Sequence, residues 1–307
     1  MELGHHLSNR PPSYEGRRLP RPGEEVVDQG LAFDLGTLAR RNALKIFGLG
    51  LAGTALAACS ANASSTSTGA STTTASGTAS GTAQLTEIPD ETAGPYPGDG
   101  SNGADVLEQS GVVRSDIRSS FGGASGVADG VSMTLELTIL DIAAGGGPMT
   151  GAAVYVWHCD RDGGYSMYSP AVKGENYLRG VQITDSAGVV TFTSIFPACY
   201  TGRWPHIHFE VYPDQASITD STKTIATSQV ALPKSTCDAV YTTSGYAQSV
   251  KNLASLSLDS DNVFGDDGGI HQLATVSGDV SGGYTVKLTA PVDIRTTSTA
   301  GGGPPGR

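Results

Sequence analysis

The chain is poor in charged and aromatic residues and has no long hydrophobic run. Of its 307 residues, 16% are charged and 7% are aromatic, whereas 41 are glycine. The apolar stretch 46–58 is interrupted by three glycines and is shorter than the roughly 20 residues that a membrane-spanning helix needs. No internal repeat is present. Short apolar runs separated by glycine predict many strands and turns, so we expect one all-β domain of about 200 residues with appendages.

Basic residues are also scarce. The chain has 19 Lys and Arg against 30 Asp and Glu, a formal net charge of −11, and beyond residue 58 only 12 basic residues stand against 24 acidic ones. Proteins that bind nucleic acid through its backbone need a basic surface. The composition therefore argues against a nucleic-acid partner, although it identifies no other partner.

The N-terminal 59 residues have the pattern of an export segment. Residues 1–39 are polar, contain four prolines and lack apolar periodicity, which predicts disorder. Arg40 and Arg41 precede the apolar stretch, so residues 40–59 resemble a twin-arginine signal that ends in a lipoprotein cysteine, Cys59. A plain secretory signal and ordinary cleavage before Cys59 are the alternatives. We expect an exported protein, either lipid-anchored on the outer face of the cytoplasmic membrane or secreted.

A low-complexity segment separates this signal from the folded domain. Residues 60–84 are almost entirely Ser, Thr, Gly and Ala, a composition typical of a flexible tether that buries no core. Residues 85–295 alternate apolar and polar residues between glycine-rich turns, which predicts a β-sandwich followed by a disordered tail at 296–307. The predicted strands are 133–139, 152–159, 181–184, 189–196, 205–212, 224–232, 272–276 and 284–289, with a short helix at 247–254.

The strand 205–212 carries a candidate metal site. Its period of two puts His206, His208, Glu210 and Tyr212 on one face and apolar residues on the other. Two neutral imidazoles on one face suit a single transition metal. An exposed His-X-His pair without a metal is the alternative, but the neighbouring Tyr200 and Arg203 favour a site.

Four motifs occur in order over about residues 91–232: Val156-Trp157 with Tyr165, Tyr177-Leu178-Arg179-Gly180, Pro197 with Tyr200, and Arg203-Trp204-Pro205-His206-Ile207-His208-Phe209. Together they resemble the intradiol ring-cleavage dioxygenases, and the resemblance implies a β-sandwich. This chain departs from the family in one respect: we expect no helical N-terminal domain like that of the catechol 1,2-dioxygenases, and hence no helix-built dimer.

The resemblance also implies a function and a site. The expected reaction is cleavage of a catechol-type ring by O2 between its two hydroxyl-bearing carbons, which gives a cis,cis-muconate-type product. Arg203 would stabilise charge on the substrate, although a structural ion pair is the alternative, and Gln229 would support the metal ligands. The catechol derivative and the oligomeric state stay open. The implied Fe(III) ligands are Tyr165, Tyr200, His206 and His208, with Tyr200 also accepting a substrate proton.

The residues leave two other functions open and predict one disulfide bond. The domain could be a surface binding module with a vestigial metal site, or an Fe(II) or zinc enzyme that uses Glu210 beside the two histidines. Of the three cysteines other than Cys59, we expect Cys199 to pair with Cys237, which would pin the loop of Tyr200, and Cys159 to be a buried thiol.

Overall fold

The computed structural model describes residues 13–14, 17–18, 85–296 and 298. The predicted signal at 40–59, the tether at 60–84 and most of the tail at 296–307 lie outside the described residues, and the domain boundaries stay predictions. Within 1–39, only the antiparallel pair β1 (Ser13–Tyr14) and β2 (Arg17–Arg18) is described. No described helix is long and apolar enough to cross a membrane.

The described domain consists of two sheets and two short helices, α1 (Lys234–Tyr241) and α2 (Ala247–Leu253). The strands are β3 (Ser132–Asp141), β4 (Gly147–Pro148), β5 (Ala153–Trp157), β6 (Arg179–Ile183), β7 (Val189–Ile195), β8 (His206–Tyr212), β9 (Ala226–Ala231), β10 (Thr275–Asp279) and β11 (Gly283–Val292). In the first sheet the order is β10-β11-β3-β4, and β7 pairs with β3. In the second sheet the order is β6-β5-β8-β9, all antiparallel.

The sandwich core lies between the two sheets. From the first sheet, Leu135 and Leu137 of β3 and Phe192 of β7 point into it, while the residues between them are more exposed. From the second sheet, Ile207 and Phe209 of β8 meet them. The alternation along β3 follows from the period of two in a strand with one solvated face. The predicted β-sandwich is confirmed.

The second sheet is buried on both faces, which the alternation along β8 does not predict. Every residue of β5, β8 and β9 is buried. A second apolar cluster covers the outer face: Tyr155 and Trp157 of β5 pack there with Val106 and Leu107 from the long connection before β3. The side chains of His206 and its strand neighbours therefore face an interior layer instead of solvent.

Two details differ from the sequence prediction. Helix α1 is present although no helix is predicted there: its three buried residues, Cys237, Val240 and Tyr241, have helical spacing, but eight residues are too short a stretch for that pattern to identify a helix. The predicted disulfide between Cys199 and Cys237 is wrong, because both are free, buried thiols, as is Cys159. The Cys199 Sγ lies 3.5 Å from the carbonyl oxygen of Arg203, and the Cys237 Sγ lies 3.9 Å from that of Leu232, so each thiol is directed at a different main-chain acceptor.

Candidate metal centre

Four side chains converge at one end of the second sheet: Tyr165 from the loop after β5, Tyr200 from the loop after β7, and His206 and His208 from β8. The Nε2 atoms of His206 and His208 are 3.1 Å apart. The Tyr200 Oη lies 3.2 Å and the Tyr165 Oη 3.4 Å from the His206 Nε2, and the two phenol oxygens are 3.5 Å apart. These four residues are called the candidate metal centre.

The distances within the candidate metal centre fit the ligation of one ion. Two ligand atoms that each lie about 2.1 Å from a metal, at angles near 90–110°, are about 3.0–3.4 Å apart. The four observed separations, from 3.1 to 3.5 Å, fall in or close to this range. Two phenol oxygens and two imidazole nitrogens are also a donor set that suits a hard, high-valent cation. The residues present therefore fit the ferric iron that the resemblance implies.

Both imidazoles are held in the neutral form that metal ligation requires. Burial, followed by the positive charge of Arg203, lowers the pKa of His206 to about 3. Burial, followed by repulsion from His206, places the pKa of His208 well below its usual range. The Nδ1 of His206 donates to the Trp204 carbonyl at 2.5 Å, which leaves its Nε2 with a free lone pair directed into the centre.

His208 is oriented by packing. Its ring stacks on Trp157 with centroids 4.8 Å apart and planes 6° from parallel. Among the described residues its buried Nδ1 has no hydrogen-bond partner. Gly94, whose φ is +71°, lies on another side of the ring: a Cβ built on it would be in van der Waals contact with the His208 Cε1, at 3.4 Å. The stack on Trp157 orients the ring where a hydrogen bond usually does so.

The two phenols are protonated unless a cation is near. Burial raises the pKa of Tyr200 to about 12 and that of Tyr165 well above its usual range. A bound multivalent cation reverses this effect, because its charge favours the phenolate. Tyr165 is buried, whereas Tyr200 is partly exposed. The Tyr165 ring also packs against Tyr96, with centroids 4.9 Å apart.

The structure joins Arg203 and Gln229, which the sequence predicts separately. The Arg203 Nη2 donates to the Gln229 Oε1 at 2.7 Å, and the Gln229 Nε2 donates to the Thr92 carbonyl at 2.9 Å. The Arg203 Nε also pairs with Asp261 at 3.0 Å. The structural ion pair, which the sequence leaves as the alternative role of Arg203, is thus present. It fixes the guanidinium, and a fixed guanidinium is compatible with the expected role toward substrate.

Asp261 is the partner that sequence reasoning missed. Its Oδ2 accepts from Arg203 and from the Trp204 N–H, and its Oδ1 accepts from the N–H groups of Val263 and Phe264. Burial opposes its ionisation, but Arg203 and the N–H donors keep the pKa of Asp261 below the usual range. It lies 58 positions beyond Arg203, outside every quoted motif, so only tertiary structure reveals the contact.

Glu210 does not complete a three-ligand site with the histidines. Its carboxylate accepts from the Tyr212 hydroxyl at 2.8 Å. Burial, followed by repulsion from Asp99, raises the pKa of Glu210 to about 8. In residues 85–296 and 298, no group of three His, Cys, Asp or Glu side chains is arranged to hold a metal. The alternative enzyme with a carboxylate beside His206 and His208 therefore finds no support in the geometry.

Comparisons with known proteins point to one family. Residues 116–215 match the Dioxygenase_C family model, described as Dioxygenase, a region that includes all four residues of the candidate metal centre and Arg203 but not Gln229. The chain is 44% identical over 55 residues to a chlorocatechol 1,2-dioxygenase from Rhodococcus opacus, 18% of this chain and 21% of the relative. It is 38% identical over 72 residues to a catechol 1,2-dioxygenase from Pseudomonas sp. (strain EST1001), 24% of this chain and 23% of the relative.

The fold comparison agrees with these matches. An intradiol ring-cleavage dioxygenase from Tetranychus urticae superposes with a TM-score of 0.55 at 24% identity, covering 70% of this chain and 98% of that one. The chain spans about a fifth of the length of the curated relatives it matches. The resemblance to the intradiol ring-cleavage dioxygenases is therefore confirmed: the chain carries a dioxygenase-family region within an intradiol-dioxygenase-like β-sandwich.

Proposed function

We propose that the protein is a non-haem Fe(III) dioxygenase that cleaves a catechol-type ring between its two hydroxyl-bearing carbons. The proposal rests on the convergence of two phenol oxygens and two imidazole nitrogens: the His206 Nε2 lies 3.1–3.4 Å from the other three atoms, and the two phenol oxygens are 3.5 Å apart. The matched relatives, which act on catechol and chlorocatechol by their names, support a catechol-type substrate. The substituents on the ring stay open.

Tyr165, Tyr200, His206 and His208 would hold the iron, whose chemistry is to bind both catechol oxygens and make the ring reactive toward O2. The protein's own contribution begins with proton transfer. Tyr200 is partly exposed and Tyr165 is buried, so Tyr200 is the phenol with room to turn toward an entering substrate. As a phenolate it is the base that accepts one hydroxyl proton from the catechol.

Arg203 would stabilise the negative charge that develops on the substrate. Its Nε and Nη2 are fixed by Asp261 and Gln229, so the guanidinium needs no reorganisation as the reaction proceeds. Because the side chain is only 7% exposed, water screens its charge weakly, and electrostatic stabilisation by a fixed group in a dry site is strong.

The proposal is tested by product analysis. Purified protein loaded with ferric iron is given catechol in air, and O2 uptake and the ultraviolet spectrum of the product are followed. We expect one O2 consumed for each cis,cis-muconate formed, and none with a Tyr165→Phe, Tyr200→Phe double variant. An iron-loaded, folded wild type that binds catechol without opening the ring would leave the binding module as the better account.

Export and anchoring are proposed on the sequence alone, because residues 40–59 lie outside the described part of the chain. A lipid on Cys59 would hold the domain at the outer face of the cytoplasmic membrane. Expression of wild type and Cys59→Ala in a bacterium with a twin-arginine pathway tests this: we expect the wild type in the membrane fraction and the variant in the soluble exported fraction. Equal fractionation of the two would contradict the anchor.

A further inference from the structure

Arg179, the first residue of β6, is a buried cation outside the proposed chemistry. It is 1% exposed, and every hydrogen bond that its guanidinium donates ends on a neutral oxygen. The Nε donates to the Ser166 Oγ at 3.1 Å. The Nη1 donates to the Pro97 carbonyl at 2.8 Å and to the Tyr155 Oη at 2.9 Å, and the Nη2 donates to the Tyr96 carbonyl at 2.9 Å and the Ser166 carbonyl at 3.0 Å.

These bonds tie together two loops that contact the candidate metal centre. One is the segment 94–98, in which Tyr96 packs against the Tyr165 ring and a Cβ built on Gly94 would contact the His208 ring. The other is the loop that carries Tyr165, because Ser166 is its next residue. One planar guanidinium thus bonds both loops and the buried strand β5 at once, a fork that a lysine ammonium cannot reproduce.

The backbone around Arg179 shows how closely the loops are held. Met167 and Leu178 adopt left-handed φ values of 71° and 55° although neither is glycine. Such conformations persist only where the surrounding structure enforces them. A Cβ built on Gly98 would lie 2.8 Å from the Arg179 Nη1, so the main chain comes this close to the guanidinium only because residue 98 lacks a side chain.

We propose that Arg179 is a positioning residue for the candidate metal centre: its guanidinium sets the place of the Tyr165 phenol by fixing the Tyr165 loop against the segment 94–98. The inference rests on the proposed function for its metal, but the residue it concerns, Arg179, has no part in the proposed chemistry. The guanidinium contacts no ligand atom in the described structure, so it acts through Ser166 and the two carbonyls.

The test compares Arg179→Lys and Arg179→Met with Arg114→Met in the full chain. Arg114 is the control, since its guanidinium also donates to main-chain oxygens, including those of Arg179 and Ser119, but to none in the segment 94–98 or at Ser166. For each protein we would measure Fe(III) affinity by chelator competition, the tyrosinate absorption band and the thermal midpoint. If Arg179→Met does not fold, the comparison uses Arg179→Lys and Arg114→Met.

We expect Fe(III) affinity to fall about 10- to 100-fold in Arg179→Lys, as when partners of metal ligands are lost, with a shifted tyrosinate band. Arg114→Met should keep wild-type affinity at a comparable thermal midpoint. Wild-type affinity and band in Arg179→Lys would overturn the proposal, and so would an equal loss of affinity in Arg114→Met.

A second readout separates this proposal from the proposed function. The Gly98 N–H donates to the Tyr168 Oη at 2.9 Å and the Ser169 N–H to the Tyr165 carbonyl at 2.9 Å. In protein stripped of metal by a chelator, we expect at least about tenfold faster hydrogen exchange at both amides in Arg179→Lys and no change in Arg114→Met. If the wild type bound no iron, the proposed function would fail, whereas unchanged exchange in Arg179→Lys would overturn the positioning role itself.

Discussion

The two sheets of the sandwich differ in how many of their faces are buried. In the first sheet, β3 alternates buried and more exposed residues. The outer face of this sheet carries charged groups such as Glu136 of β3 and Lys287 of β11, which form an ion pair at 2.8 Å near solvent. In the second sheet, β8 is buried on both faces, including the face with His206 and His208. The first sheet therefore needs only an apolar face, whereas the second must satisfy polar side chains in its interior.

Buried polar groups are costly unless they are hydrogen-bonded or paired. Three polar groups on or next to the second sheet have such partners: His206 donates to the Trp204 carbonyl two positions before it, Arg203 pairs with Asp261, and Gln229 donates to the Thr92 carbonyl. The partners of Arg203 and Gln229 come from segments distant in sequence. The candidate metal centre therefore lies on the covered face, and its geometry depends on the loops that cover it. Changes there should alter both stability and metal binding, whereas changes on the first sheet should leave metal binding unaltered.

The largest effect is expected from His206→Ala on the second sheet. Removing one of four ligand atoms should weaken Fe(III) binding by more than about 100-fold, beyond the loss seen for outer partners, and abolish ring cleavage. Lys287→Ala on the first sheet is the control, and it should leave both unchanged. Chelator competition and O2 uptake measure the two quantities. Retained iron in His206→Ala would show that the metal is held elsewhere.

Asp261→Ala should destabilise the domain by about 3–5 kcal/mol, because it leaves the guanidinium of Arg203 buried without its counter-charge. The matched control is Asp238→Ala, which breaks the exposed pair with Lys234 and should cost at most about 1 kcal/mol. Urea unfolding at constant pH measures both. Equal losses of unfolding free energy in the two variants would show that burial of the Arg203–Asp261 pair does not raise the cost of removing its carboxylate.

Glu91, in the covering layer, should make stability depend on pH. Burial, followed by repulsion from Asp266, raises its pKa to about 8. Between about pH 4.5 and 8 the folded state keeps a proton that the unfolded state releases, so this residue's contribution falls as pH rises, by about 1.4 kcal/mol per unit.

The test of this residue is the difference in unfolding free energy between wild type and Glu91→Gln. From pH 4 to pH 7 the difference should shift by about 3 kcal/mol in favour of the variant, which has no proton to release. At pH 4 both side chains are neutral, which provides an internal reference. A difference that does not change with pH would show that the Glu91 carboxyl is solvated.

The smallest effect is expected from the aromatic stack. Trp157→Leu on the second sheet and Phe192→Leu on the first each remove a buried ring and should each cost about 1–3 kcal/mol of stability. Only Trp157→Leu frees the His208 ring, so only it should weaken Fe(III) binding, by about tenfold. Equal Fe(III) affinities in the two variants would show that His208 is held without the stack.

The sequence predicts local features well. The alternation of β3 and the His-X-His face of β8 follow from the period of a strand, and the resemblance locates Tyr165 and Tyr200 in the loops that reach the histidines. What it misses depends on long-range packing: the layer over the second sheet, the pairing of Asp261 with Arg203, and the separate carbonyls that face Cys199 and Cys237. No spacing or periodicity encodes such contacts, since each depends on how segments far apart in the sequence pack together.

A visible absorption spectrum tests whether Tyr165, Tyr200, His206 and His208 form one ferric site. Purified protein is loaded with Fe(III), and its spectrum is recorded before and after catechol is added without oxygen, beside the Tyr165→Phe, Tyr200→Phe double variant. We expect a burgundy tyrosinate-to-iron band in the wild type that shifts with catechol and is absent from the double variant. A folded wild type that stays colourless after ferric loading would show that the four residues do not form this site.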